Sequence, residues 1–403
     1  MVRIQLHWQI LIALVLAVAY GILLEDYVGY VSWMGDVFLR ALKMIIIPLV
    51  FSSIVTGIAN IGTAKNIGRL GFKTVGYYLG SSTLAILTGL ILVNIFKPGV
   101  GADLELKEDV SMDLTENSFR DTLLNIVPEN IFFSFTDNTE LLSVIFFALL
   151  FGFFITRTGE KHRVLLSDFF KAVLEVIMKL TLFVIRFTPL GIFGLMAHRV
   201  AQQENLFEMI NSLGMYMIIV VAGILIHALI TLPMIVRFMT KSNPYKHFMF
   251  SRTPLLTAFT TSSSNATLPL TMDSVQSNSG VSNKVSSFTL PLGATINMDG
   301  AALYECVAVI FIAQAYGVDL TVGQQVIVVL TSLLASVGSA GIPMAGLVMI
   351  TIVLSAVGLP LEGVGLILAV DRIIDMFRTG ANVWSDICCS IIIASSEGEE
   401  LKA

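Results

Sequence analysis

Long apolar runs separated by short polar stretches dominate this chain. A helix needs ~20 apolar residues to cross the hydrocarbon core of a bilayer. Runs of about that length or more cover roughly 8–24, 36–60, 74–96, 130–156, 167–195, 209–238, 284–316 and 361–394, which predicts eight transmembrane helices. Several exceed the requirement, so tilt or breaks are expected. Polar residues ahead of the 130–156 run predict that it is divided into shorter pieces. Glu25 and Asp26 follow the first run at once, without a small-residue cleavage pattern, so that run reads as a retained span.

Two further stretches are apolar but punctuated. Residues 254–272 read PLLTAFTTSSSNATLPLTM and residues 331–352 read TSLLASVGSAGIPMAGLVMITI. In each, a cluster of small residues and then a proline interrupts the run, which predicts two half-helices joined by a tip, a re-entrant helical hairpin. Backbone that leaves the helix at membrane depth must be buried in protein or line a wet cavity. The order hairpin, long helix, hairpin, long helix suggests an internal repeat, and paired interruptions of this kind point to a transporter's binding site.

Composition supports lipid as the solvent. The 403 residues are 55% hydrophobic and only 13% charged, with a mean hydropathy of +0.84; soluble domains carry ~25% charged residues. The net charge of −5 offers no basic face for nucleic acid. Cys306, Cys388 and Cys389 lie in apolar segments with no metal or disulfide spacing, and read as small apolar side chains. Lys and Arg set orientation. Arg3, then Lys65, Arg69 and Lys73, then Arg157, Lys161, Arg163 and Lys171, then Arg237, Lys241, Lys246 and Arg252 all fall on one side of eight spans. That side is the cytoplasm, with both termini there. The acid-rich 99–121 loop (Asp103, Glu105, Glu108, Asp109, Asp113, Glu116, Asp121) lies outside, and the polar tail SSEGEELKA is expected to be disordered.

Charge at membrane depth costs ~2.5–3.5 kcal/mol per residue on insertion scales. The last two long helices nevertheless carry Asp299, Glu305, Asp371, Arg372, Asp375, Arg378 and Asp386. Asp371, Asp375, Arg378, Asn382 and Asp386 are spaced by four or three residues, which makes one continuous helix face. A structural network explains Arg378 paired with Asp375, but three aspartates against one arginine leave net negative charge that small cations would compensate. Asn297 and Asp299, in NMDG, supply amide and carboxylate oxygens suited to sodium, and Gly300 is expected to permit local unwinding that frees carbonyls. Arg378 offers a planar fork matched to a carboxylate, so it is a candidate to select an acidic side chain. The five histidines (His7, His162, His198, His227, His247) are scattered and carry no motif, the serine run at 262–264 has no histidine near it in sequence to act as base, and GSAGIP is no phosphate loop.

Five stretches resemble the dicarboxylate/amino acid:cation symporter family, which includes excitatory glutamate transporters and neutral amino acid exchangers. They are ALKMIIIPLVFSSIVTGIA at 41–59, TSSSNATLPLTM at 261–272, PLGATINMDGAALYE at 291–305, SVGSAGIPMAG at 336–346 and DRIIDMFRTGANVWSD at 371–386. The resemblance implies an all-α membrane protein of inverted-repeat elevator architecture, with eight transmembrane helices plus two re-entrant hairpins, and a homotrimer in the cell membrane. It implies scaffold segments at 1–72 (spans one and two) and 99–200 (the extracellular loop, spans four and five). Transport-domain segments would be 73–98 (span three) and 201–395 (span six, both hairpins, spans seven and eight), with a cytoplasmic tail at 396–403.

By position, the resemblance implies that Asp375 takes the substrate amino group. Asn382 and the backbone near Ser263 would hold its α-carboxylate, and Arg378 its side-chain carboxylate with Thr379 nearby. Ile342 and Gly346 lie where the second hairpin closes as a gate. Asp386, Asn297, Asn382 and the Gly293 carbonyl match one sodium site. Carbonyls of Thr295, Ser336, Val337 and Ser339 with Met298 match a second. Tyr78, Ser81, Ser82, Asn297 and Asp299 match a third. Sodium is thus co-transported with a small acidic amino acid, and no organic cofactor is implied.

Three departures change the picture. Ala301 stands where acidic-substrate members have Thr and neutral exchangers have Ala; those exchangers lack the arginine matching Arg378, so neutral amino acid exchange is the alternative reading. An anion channel is a different class, which the carboxylate-rich face argues against. Members also carry an extra arginine where this chain has Thr261 or Met376, and Arg372 is the candidate substitute. Glu305 stands where animal glutamate carriers have the glutamate that binds a proton, which makes it the candidate for proton coupling.

Overall fold

In lipid, each backbone N–H and C=O needs an internal partner, and a helix supplies them within one segment. The computed structural model describes residues 6–61, 68–101, 124, 126–137, 141–202, 206–338 and 345–403, and no strand occurs among them. Arg3, Lys65, the acidic loop residues from Asp103 to Asp121, Ser339 and Ile342 lie outside the described residues.

The first helices are α1 (Leu6–Leu23), α2 (Gly29–Ile61) and α3 (Gly68–Phe96). The 130–156 run is divided, as expected, into a single turn α4 (Ile131–Ser134) and α5 (Leu141–Arg157). The 167–195 run becomes α6 (Glu160–Ile185) and α7 (Thr188–Gln202), bent by 50° at a break that Pro189 accompanies. Next come α8 (Leu206–Ile226), a π-bulge over His227–Thr231, and α9 (Leu232–Thr240). Pro233 has no N–H to offer the preceding turn. The bulge carbonyls find other donors: Tyr245 Oη donates to Leu229 O at 3.1 Å and Trp384 Nε1 to Ala228 O at 2.9 Å.

A short α10 (Pro244–Phe250) leads into the first hairpin, α11 (Arg252–Thr261) and α12 (Ser264–Ser274). The 284–316 run is not one helix. It divides into α13 (Asn283–Ile296) and α14 (Asp299–Ala315), with extended backbone at Asn297. The arms α15 (Val322–Gly338) and α16 (Ala345–Ala356) follow, then the long α17 (Val364–Ser396).

Among the described residues, four helical stretches are long and apolar enough to cross a membrane: Gly29–Ala59, Arg69–Phe96, Ile210–Thr240 and Asn283–Ala315. The bent pair α6–α7 makes a fifth if it is one span. Trp8–Leu23, Ser143–Arg157 and Val322–Val337 are apolar but shorter. At 33 residues α17 is long enough, but its charged face keeps it out of that apolar set.

Packing gathers the helices into two groups. Helices α1, α2, α5, α6 and α7 pack chiefly on one another, while α3, α8, α15, α16 and α17 surround α14, all but one of whose residues are buried, and α11, α12 and α13 pack on α17. Between the groups, α15 and α16 meet α2 and α5, and α17 meets α7.

The tail is not disordered. Glu397 forms ion pairs with Arg69 at 2.5 Å and Lys73 at 2.8 Å. Glu399 accepts from the Ser282 N–H at 2.8 Å and the Ser282 hydroxyl at 2.5 Å, at the N-terminus of α13 where a carboxylate is favoured. Lys402 donates to the Ser279 and Ser277 carbonyls. Its polar composition suggested disorder only because these partners lie 117 or more residues away in sequence.

Candidate functional site

Two chain breaks meet α17, and a third joins α15 to α16. In the first hairpin, Ser262 adopts a left-handed conformation (φ 51°) that ends α11, and Ser263 caps α12 by accepting the Ala266 N–H at 3.2 Å. A left-handed non-glycine residue is strained, and such strain clusters at functional sites. The α11 arm lies along α17, with Phe259 edge-on to Phe377 at 5.1 Å. The second break is between α13 and α14. The third is the tip joining α15 and α16, outside the described residues apart from its flanks.

The predicted face of α17 is buried. Asp371, Asp375, Arg378, Thr379, Asn382 and Asp386 are each at most 6% exposed. Arg378 donates from Nη2 to Asp375 Oδ1 at 2.6 Å, and its Nη1 stands 3.6 Å from Asp371 Oδ1. Its guanidinium lies over the Tyr304 ring at 4.3 Å, while the Tyr304 hydroxyl donates to Asp371 at 2.6 Å. Arg372 reaches the other oxygen of Asp375 at 3.3 Å. The Asp375 carboxylate therefore sits between two arginines. Arg378 Nη1 is buried without a hydrogen-bond acceptor among the described residues. Gly346, at the start of α16, presses directly on that guanidinium, and a side chain there would collide with Nη1. The Thr379 hydroxyl donates to the Asp375 carbonyl at 2.8 Å.

One turn further along, α17 meets the α13–α14 break. Asn382 accepts the Gly300 N–H at 2.8 Å and donates to Met298 Sδ at 3.2 Å. Asp386 accepts from Asn297 Nδ2 at 2.8 Å, and Gly293 lies against both Asp386 and the Tyr78 hydroxyl. Tyr78 donates to the Thr289 carbonyl at 2.8 Å. The Asn297 carbonyl oxygen is buried with no donor among the described residues. The unwinding predicted at Gly300 occurs instead at Asn297–Met298. Gly300 is already helical, and its missing side chain lets α14 approach the Arg378 backbone, which a Cβ would meet at 2.8 Å.

Asp299, fully buried, begins α14. Its Oδ1 accepts from Ser81 at 3.2 Å and Ser82 at 2.6 Å; its Oδ2 accepts from Ser385 at 2.6 Å and lies 3.0 Å from His227 Nε2. The Thr295 hydroxyl bonds within its own helix, as does that of Ser336, and Val337 is half-buried beside it. Glu305 is fully buried on α14, and both its oxygens lack a hydrogen-bond partner among the described residues.

This is a face of carboxylate, amide and hydroxyl oxygens, with one guanidinium whose donors are not all spent, beside two interrupted helix pairs. Residues 6–396 match the sodium:dicarboxylate symporter family. The chain belongs to that family. It is 35% identical to the excitatory amino acid transporter 3 of Oryctolagus cuniculus, over 98% of this chain and 87% of that one. Identity is 35% to the proton/sodium-glutamate symport protein of Geobacillus stearothermophilus (98% and 96% covered) and 36% to the proton/glutamate-aspartate symporter of Escherichia coli (98% and 94%).

Within this member of the family, sequence reasoning gave no individual role to four side chains at the site, although Asp371 was already on the predicted face. His227, set aside with the other histidines, faces Asp299 from the start of the π-bulge. Tyr304 and Asp371 frame Arg378. Ser385 contacts Asp299 one residue before Asp386 contacts Asn297. The i, i+4 spacing of Asp371 and Asp375 was the one signal available, and it pointed to Asp371.

Proposed function

We propose that this chain is a sodium-coupled secondary active transporter of acidic amino acids, aspartate or glutamate. Its family is a transporter family, and its relatives are named for glutamate, aspartate, sodium and protons. The observation that carries the acidic substrate is Arg378: buried, ion-paired to Asp375 and, at 3.6 Å, to Asp371, with no hydrogen-bond acceptor for Nη1 among the described residues. Asp375 binds the substrate amino group, Asn382 and the Ser263 turn its α-carboxylate, and Arg378 with Thr379 the second carboxylate. Gly346 belongs to the gate that closes over it. Arg372, on the second oxygen of Asp375, takes the place of the arginine missing at Thr261 and Met376.

Sodium binds at Asp386, Asn297, Asn382 and the Gly293 carbonyl; at Met298 with the carbonyls of Thr295, Ser336, Val337 and Ser339; and at Asp299 with Tyr78, Ser81, Ser82 and Asn297. Hard cations favour such oxygen-rich sets, and the unmatched Asn297 oxygen supports this reading. Glu305 carries a proton, since an ionised carboxylate without hydrogen bonds at that depth is costly.

Eight spans and two re-entrant hairpins cross the cell membrane with both termini cytoplasmic, and three copies assemble. The two packing groups support a static scaffold and a transport domain that moves as an elevator. The test is uptake by purified protein in liposomes under an inward sodium gradient, with labelled aspartate, glutamate, serine and alanine in parallel. Saturable uptake of the two acids alone supports the proposal. Uptake of the neutral pair alone would favour the exchanger reading, and conduction without substrate would favour a channel.

A further inference from the structure

Ser385 and Asp386 are consecutive on α17, and they touch opposite sides of the α13–α14 break. Asp386 accepts from Asn297, the first residue of the break, and Ser385 donates to Asp299, the first residue after it. Successive residues on a helix point about 100° apart, so one turn of α17 spans both candidate cation sites.

The surroundings of Asp299 are unusual in kind. Three hydroxyls, from Ser81, Ser82 and Ser385, converge on a single carboxylate, and Ser385 is fully buried. Each carboxylate oxygen has two lone pairs and here each has two polar neighbours, so a cation held at Asp299 draws on oxygens beside the carboxylate as well. Each hydroxyl has one proton, which Ser81 shares between Asp299 and the Tyr78 carbonyl at 3.2 Å each, and each keeps oxygen lone pairs that can serve a cation. His227 contributes differently. Its Nδ1 is buried without a hydrogen-bond partner among the described residues, so the ring is held at Asp299 by Nε2 alone, and the proton is assigned to Nε2 because the ionised carboxylate oxygen 3.0 Å away can only accept. It is a donor that fixes the carboxylate and has no lone pair to offer a cation from that nitrogen. The oxygens available around Asp299 are therefore those of the serines. The Asn297 side-chain oxygen, two residues away and fully buried, has no donor among the described residues, which is an independent sign that a cation belongs near this break.

We propose that Ser385 is an oxygen ligand of the cation held by Asp299, completing with Ser81 and Ser82 a three-hydroxyl set around one carboxylate. His227 is a positioning residue in this arrangement, holding the carboxylate from the far side. The proposal rests on the reading of Asp299 as a sodium ligand. Because Ser385 is joined directly to Asp386, filling one site fixes the turn of α17 that presents the other.

Trp384 makes the test direct. It is fully buried next to Ser385 and bonded to the bulge that carries His227. Replacing Trp8 and Trp33 by Phe leaves it as the sole tryptophan of the full chain. The experiment titrates sodium chloride against choline chloride at constant ionic strength, without substrate, and follows Trp384 emission. In the parent the response saturates. Ser385→Ala raises the half-saturating sodium concentration roughly five- to tenfold, the loss expected for one polar contact, and Asp299→Asn abolishes this phase. Ser385→Ala superimposed on the parent, with Asp299→Asn silent, overturns the proposal and leaves the sodium reading standing. Both variants indistinguishable from the parent would remove the sodium reading of Asp299, and the proposal with it. Thermal unfolding separates binding from packing: a ligand role leaves stability in choline unchanged and diminishes only the increment that sodium adds. A fall of equal size in both salts makes Ser385 a packing residue and overturns the proposal.

Discussion

Asn297 donates its side-chain amide to Asp386 at 2.8 Å while its own carbonyl oxygen, equally buried, accepts nothing among the described residues. Leaving a buried acceptor unmatched costs ~1–3 kcal/mol. A carboxylate beside it compounds the negative potential. A sodium ion bound there would relieve both at once. Asp386→Asn keeps the shape and the hydrogen bond but removes the charge. Its expected effect is a rise of about tenfold or more in the sodium concentration for half-maximal uptake, with substrate affinity at saturating sodium little changed. Sodium titration of initial uptake rates checks this.

Arg378 should set the charge of the substrate. Arg378→Cys leaves a second carboxylate unpaired in a dry site, a loss of ~2–5 kcal/mol for aspartate or glutamate. Serine and alanine should bind no worse than before. Competition binding with acidic and neutral amino acids measures both. Unchanged acidic affinity would remove the role assigned to Arg378 and strengthen the neutral-exchanger alternative.

The interrupted hairpin at 254–272 and the polar face at 371–386 were legible in sequence because both are local patterns. Small residues and a proline mark the Ser262–Ser263 turn, and a spacing of three and four marks a helix face. What sequence did not reveal depends on distance. His227 and Asp299 are separated by 72 residues, Glu397 and Arg69 by 328. Each pair forms only once helices have packed. Gly300 was assigned to the chain break from its conformational freedom, whereas the fold uses its missing side chain for contact with Arg378. A glycine read in isolation does not distinguish these two uses.

Glu305 should couple proton movement to net transport. Glu305→Gln mimics the protonated acid at nearly constant shape. The variant is expected to bind substrate and exchange it across the membrane, while net uptake falls and its pH dependence between about 6 and 9 disappears. Net uptake and exchange, measured side by side across that range, check this. Identical pH profiles for variant and parent would make Glu305 a structural residue.

The tail should stay docked well into acid. Hydrogen bonds from Lys73 and Arg69, with their charges, hold the Glu397 carboxyl down to about 2. A carboxyl depressed in this way contributes its full stabilisation above the ordinary carboxylate value, and loses it as pH falls from there through about 2. Docking should therefore be independent of pH between about 5 and 8. It should weaken with salt because Arg69 is mostly exposed. Glu397→Gln should raise hydrogen exchange over residues 397–402 at neutral pH, and exchange mass spectrometry reads this.

The central claim is that sodium drives accumulation of acidic amino acids. The direct measurement is uptake of labelled aspartate and glutamate into liposomes containing the purified protein, with an inward gradient of sodium chloride or of choline chloride. Accumulation above the external concentration in sodium, collapsing when the gradient is dissipated and absent in choline, is the predicted result. Equal accumulation in choline and in sodium would contradict it.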